Sequence, residues 1–166
     1  MKTLYLIGGT MGVGKTTVCR SLQQRLHNSV FLDGDWCWDA NPFQVTEETR
    51  HMVLDNICYL LNNFIHCSAY ENIIFCWVMH QQCIIDHIVE NLDIKECNVK
   101  IISLLCDEAS LKERLKGDID RGIRSADVID RSIDRLPMYQ TLDTIKIETS
   151  LKSVEDIAEE ILRRQK

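Results

Sequence analysis

Ten residues near the start restrict this chain more than any others. "GGTMGVGKTT", residues 8–17, lies between a compact apolar run, "KTLYLIG", and a segment of helical character over residues 14–27. Gly9, Gly14, Lys15 and Thr16 fall on the spacing G-x-x-x-x-G-K-[ST], in the strand-to-helix context that the spacing requires. Glycines let the backbone wrap tightly with its N–H groups turned inward, and a helix starting near Gly14 adds the positive end of its dipole. An ammonium and a hydroxyl at the next two positions suit the outer phosphates of a nucleoside triphosphate and a Mg²⁺ ion. The loop therefore predicts a triphosphate site built from Gly9, Thr10, Met11, Gly12, Val13, Gly14, Lys15, Thr16 and Thr17.

The remaining pattern agrees with an α/β chain. "SVFLD" reads as a second strand, "NIIFCWVM" as a third, "NVKIISLLC" as a fourth and "LDTIKIET" as a fifth. Helices are predicted between them: one capped by Thr46, one over residues 81–92, one from about Ser110, and a last one capped by Ser153. Nearly continuous apolar strands alternating with helices indicate a parallel sheet covered on both faces. The 166 residues, 45% of them hydrophobic, suit a single domain spanning 1–166, with no repeat or linker. Ligands of such a sheet bind outside the carboxyl ends of its strands.

Charge and cysteine usage narrow the function classes. A net charge of −6 gives no general attraction to nucleic acid or to an anionic membrane. No apolar stretch approaches the ~18 residues that span a bilayer. The eight cysteines form no C-x-x-C pair and mostly sit inside apolar runs, as reduced core residues of a cytoplasmic protein do. Monomer and homodimer both remain open.

A triphosphate loop needs a carboxylate to help place the metal. The third strand ends without an aspartate and no guanine-reading N-K-x-D motif is present. Asp33 and Asp35 remain, in "FLDGDWCWDANPF", residues 31–43, at the carboxyl end of the second strand. If the strand continues, residues two apart point the same way and both carboxylates face the phosphates. One would organise the metal with Thr16; the other would take a proton from an attacking hydroxyl. An Asp-Gly turn with solvated carboxylates is the competing reading.

With these residues in view, the chain resembles the small P-loop kinases: shikimate, gluconate, adenylylsulfate and nucleoside monophosphate kinases and the chloramphenicol phosphotransferases. The resemblance spans nearly the whole chain. It implies a three-layer α/β/α P-loop NTPase fold with a five-stranded parallel sheet in the order 2-3-1-4-5, ATP as donor and Mg²⁺ as cofactor. It places Asp33 at the metal-organising position and Asp35 at the substrate-binding, base position.

It also implies a short arginine-bearing lid, here about residues 116–128. Arg121 and Arg124 are the candidates for phosphate contact, with Gly117 and Gly122 as pivots. Arg114 falls where adenylate kinases set an arginine against adenine, and Ser150 and Leu151 would border the same base. Arg131 and Arg135, four apart, would face inward together toward the acceptor. Asp118, Asp120, Asp127, Asp130 and Asp134 interleave with these arginines, so a solvated helix laced with ion pairs reads equally well.

On the acceptor side the candidates are Trp36, Trp38, Phe43, Arg50, Trp77 and His80. Aromatic rings there favour a flat or apolar small molecule, such as a nucleoside or nucleotide, a sugar-like metabolite or an antibiotic. Core anchoring is the alternative for each ring. The Gly-Gly pair that shikimate kinases carry after the third strand is replaced by "WVMHQQ". The expected activity is ATP- and Mg²⁺-dependent phosphoryl transfer to a small-molecule acceptor. A nucleotide-binding sensor with incidental hydrolysis is the rival reading.

Overall fold

A computed structural model describes residues 1–123 and 127–164. Among them lie five strands, β1 Lys2–Gly8, β2 Ser29–Asp33, β3 Asn72–Trp77, β4 Cys97–Leu105 and β5 Ile145–Glu148. Six α-helices accompany them: α1 Lys15–Arg25, α2 Glu47–His66, α3 Gln82–Glu90, α4 Glu108–Asp120, α5 Val128–Gln140 and α6 Val154–Arg163. All strand pairs are parallel, in the order β2-β3-β1-β4-β5. This is the predicted sheet.

Strand pleat sorts the apolar residues onto two faces. Leu4 and Leu6 of β1 join Ile73 and Phe75 of β3 on one face, under Val53, Ile57 and Leu61 of α2 and Ile85 and Ile88 of α3. Tyr5 and Ile7 join Ile74 and Cys76 on the other, under Val18 and Leu22 of α1, Leu111 and Leu115 of α4 and Ile157 and Ile161 of α6. Both faces are thus fully covered, which explains why the strands are apolar at consecutive positions. The register sets Gly8 beside Trp77 and Ser103, and Asp33 beside Cys76, so the loops after β1, β2 and β3 open at one edge.

Helix α5 relates the two faces. Its first residue, Val128, belongs to the α1 side, whereas Tyr139 near its end belongs to the α2 side. The charge-interleaved segment was not predicted as a separate helix. Its apolar residues Ile129, Ile133 and Leu136 pack against the first cluster and supply the buried stripe that the surrounding charges obscured. Helix α4 also runs further than the sequence suggested, so Gly117 lies inside it rather than at a pivot. Gly122, at φ 70°, follows the α4 C-cap Arg121.

Side-chain caps begin three helices as predicted or close to it. Asp107 accepts from Ser110 N at 2.7 Å and starts α4 two residues before the expected Ser110. Ser153 accepts from Asp156 N at 3.1 Å. Thr46 and Thr49 cap reciprocally, each side chain accepting the other's backbone N–H, at 3.1 and 2.9 Å. All eight cysteines are free thiols. No described helix is long and apolar enough to cross a membrane.

Replacing Thr46 by Ala removes one half of the reciprocal cap. Urea denaturation should show a loss of about 1 kcal/mol with an unchanged slope.

Candidate functional site

The loop between β1 and α1 is held in shape by residues from elsewhere in the fold. Gly14, the N-cap of α1, contributes no side chain to the first N–H groups of the helix, which leaves them for an anion. Gly12 has φ 83°, and a Cβ there would fall 2.5 Å from Leu115 Cδ2 of α4. Only glycine meets both demands, so the loop lies directly on α4. Thr10 is fully buried and donates from Oγ1 to the Ser132 carbonyl of α5 at 2.8 Å. Arg114 of α4 donates to the Val13 carbonyl at 3.0 Å and to the Thr149 carbonyl and hydroxyl at 2.8 and 3.1 Å. Lys15 Nζ donates to the Thr10 carbonyl at 3.1 Å, folding the ammonium back over the loop.

The carboxylates follow the loop closely. Thr16 donates from Oγ1 to Asp33 Oδ2 at 2.8 Å. The other oxygen of Asp33, Oδ1, accepts from Asp35 N at 3.1 Å. That bond ends the strand: residues Gly34–Cys37 form a 3₁₀ turn with Asp33 as its N-cap. The expected strand-like continuation to Asp35 is therefore not present. A side chain that accepts from the amide two residues on offers the backbone an alternative to the extended form. Asp33 is buried and Asp35 is exposed beside it. The hydroxyl of Thr16 and the carboxylate of Asp33 form a pair of oxygen donors of the kind that Mg²⁺ takes.

The three tryptophans separate. Trp36 is 54% exposed and turns back over the α1 side, with its ring 5.4 Å from that of Phe31 at 66°. The Arg20 guanidinium of α1 lies 4.8 Å from the Phe31 ring centre and 5.4 Å from that of Trp36. Trp38 and Trp77 pack against the cluster on the α2 side, and Trp38 meets Phe43 at 4.6 Å. Phe43 and Arg50 are exposed.

Beyond β3 the chain is pinned in an unusual shape. Met79 has φ 35° although its side chain is buried, a strained conformation for a non-glycine residue. The Val78 carbonyl before it accepts from the buried Tyr139 hydroxyl and from Gly9 N. His80 follows, half-buried, with Nδ1 enclosed and without a hydrogen-bond partner among the described residues. Burial, and then the Arg135 cation, hold its pKa below the usual histidine range. His80 is thus a neutral imidazole near neutral pH.

The described arginines of the expected lid and of α5 have separate surroundings. Arg121 pairs with Asp118 at 2.8 Å. Arg124 lies outside the described residues. Arg131 is exposed and pairs with Asp127 at 2.9 Å, so it does not face inward with Arg135. Arg135 is half-buried and close enough to His80 to influence it. After β5, Ser150 donates from its hydroxyl to Glu148 and accepts from Asp107 N, while Leu151 is 98% exposed. Thr149, fully buried and holding Arg114, was not singled out in the sequence. Arg20 was also missed. Nothing local marks either residue, because each contact joins distant segments.

Comparison with known proteins bears on the family and the fold. A family model described as an AAA domain matches residues 6–133. The chain is 29% identical to the shikimate kinase of Bacillus cytotoxicus, with 99% of this chain and 98% of that protein aligned. A gluconokinase from Sinorhizobium meliloti superposes with a TM-score of 0.71 at 16% identity, covering 96% of this chain and 89% of its own. The tunicamycin resistance protein of Deinococcus radiodurans gives 0.69 at 22% identity, covering 97% and 94%. The two structural likenesses speak to the fold.

Replacing Arg114 by Ala strips partners from the Val13 and Thr149 carbonyls at once. The unfolding free energy measured by urea should fall by about 2–3 kcal/mol. Arg114→Lys should recover less than half, because one ammonium cannot reach in both directions as the planar fork does.

Proposed function

The chain belongs to the P-loop small-molecule kinases and is a phosphotransferase, and from that premise we propose that it transfers the γ-phosphate of ATP, with Mg²⁺, to a hydroxyl of a small ring-bearing acceptor. One observation carries the reading: the Thr16 hydroxyl meets the Asp33 carboxylate at 2.8 Å beside a glycine loop whose helix start has no side-chain cap. A metal-binding pair and an anion cradle then share one edge of the sheet.

In this reading the loop amides and Lys15 grip the β- and γ-phosphates, and Lys15 exchanges the Thr10 carbonyl for phosphate oxygen as nucleotide enters. Thr16 and Asp33 hold the metal, which when bound neutralises phosphate charge. Asp35, exposed on the turn that Asp33 caps, orients the acceptor hydroxyl and accepts its proton. Arg121 and Arg124 stabilise the transferring group, and Arg114 with Ser150 and Leu151 borders the adenine. Trp38, His80 and Arg135 form the acceptor wall on the α2 side, with Phe43 and Arg50 at its rim, while Trp77 lies against the turn at Gly34. Trp36, directed to the α1 side, supports the turn instead of lining that wall.

The relatives named as shikimate kinases make shikimate the first acceptor to try. Where shikimate kinases carry a Gly-Gly pair, this chain has a pinned Met79 and a half-buried His80. A bulkier wall favours a different ring, and nucleosides, gluconate and chloramphenicol complete the panel. Eight free cysteines fit a reducing compartment, the cytoplasm.

Labelled ATP incubated with this panel should give a phosphorylated product. Binding of Mg–ATP without transfer to any acceptor would support a sensor instead. Lys15→Ala should lower turnover at least about 100-fold, while Asp35→Asn should bind Mg–ATP within about 3-fold of the parent and lose about 10²–10⁴ in transfer rate. Calorimetry and initial rates read the two effects separately.

A further inference from the structure

Gly34 separates the two carboxylates of the turn, yet its backbone does not need to be glycine. It lies within the right-handed 3₁₀ turn and is absent from the residues with positive φ. A neighbouring strand makes the demand. A Cβ at Gly34 would sit 2.5 Å from Trp77 Cγ, 2.6 Å from Cδ1 and 2.8 Å from Cβ. Asp33 is paired with Cys76, so the first residue of the turn comes directly beside Trp77 at the end of β3. The indole is held in turn, packed against the α2-side cluster that contains Leu32 and Phe75.

Asp33 divides its two oxygens between the Thr16 hydroxyl and the Asp35 amide. Asp33 stays in β2, tied to Thr16, so a lift of the turn that begins at Gly34 redirects Asp35 and leaves the Thr16–Asp33 pair in place. From the opposite face, Trp36 meets Phe31 edge-to-face, with the Arg20 guanidinium 5.4 Å from its ring centre. We propose that Trp77 is a positioning residue for Asp35: the turn rests on its indole, and position 34 is glycine because the indole leaves no space for a Cβ. This deepens the kinase reading and rests on Asp35 being the acceptor-side base. A shift of about 1 Å in such a group is enough to cost on the order of 100-fold in rate.

The test is a cycle of Gly34→Ala, Trp77→Ala and the double variant. Rates are read as phosphate release from Mg–ATP to water and as transfer to shikimate, with Mg–ADP affinity by calorimetry. Gly34→Ala should lower the rate by about 10–100-fold and leave Mg–ADP affinity within about 2-fold. In the Trp77→Ala background the same substitution should cost at least about 5-fold less, because the ring contacts at 2.5 and 2.6 Å are gone and only the approach to Cβ at 2.8 Å remains. Equal losses in both backgrounds, no loss in the parent, or parallel falls in rate, affinity and melting temperature would overturn the proposal. If Gly34→Ala does not fold, Trp77→Phe and Trp77→Ala decide: Phe should keep the rate within about 3-fold while Ala loses about 10-fold, and equal rates sink the idea. Asp35→Asn, assayed in parallel, separates the two layers. A parent-like rate for it removes the base assignment and the positioning role with it. Inactivity of Asp35→Asn beside a harmless Gly34→Ala removes the positioning role alone.

Discussion

An anion cradle made of backbone amides must hold its shape before any anion arrives. Inward N–H groups repel one another, and glycines make the loop that carries them easy to collapse. In this chain the shape is imposed from outside. Leu115 fills the space against Gly12, Arg114 holds the Val13 carbonyl, and Thr10 is tied to Ser132. These three contacts come from α4 and α5, which lie far along the sequence from the loop. The reactive edge is thus assembled only when the whole sheet and both layers are in place.

Preorganisation extends to the carboxylates. Asp33 is buried, and both its oxygens have partners at hydrogen-bond distance. A buried carboxylate without such bonds would carry a large desolvation cost. Here the same bonds that stabilise it also end β2 and present Asp35 to solvent. Local stability and site geometry are one arrangement.

Sheet order, strand positions and the loop were legible because each rests on local pattern: apolar runs, turn glycines and cap residues. The turn after Asp33 was misread because spacing two residues apart is compatible with extended chain, whereas the Asx-type bond from Asp33 to the Asp35 amide closes a 3₁₀ turn. Helix α5 was legible only as the alternative to a lid, since ion pairs such as Arg131 with Asp127 accompany its partly buried stripe. Thr149, Arg20 and the contact of Gly34 with Trp77 join segments that only the tertiary fold brings together. No window of sequence contains them.

Helix α5 touches the phosphate loop through Ser132 and the end of β3 through Tyr139. The two attachments stand about two turns apart on one helix, with Pro137 between them. One helix thus anchors both the phosphate loop and the segment after β3, and its own Arg135 lies close to His80. A substitution that loosens this helix therefore loosens both anchorages at once.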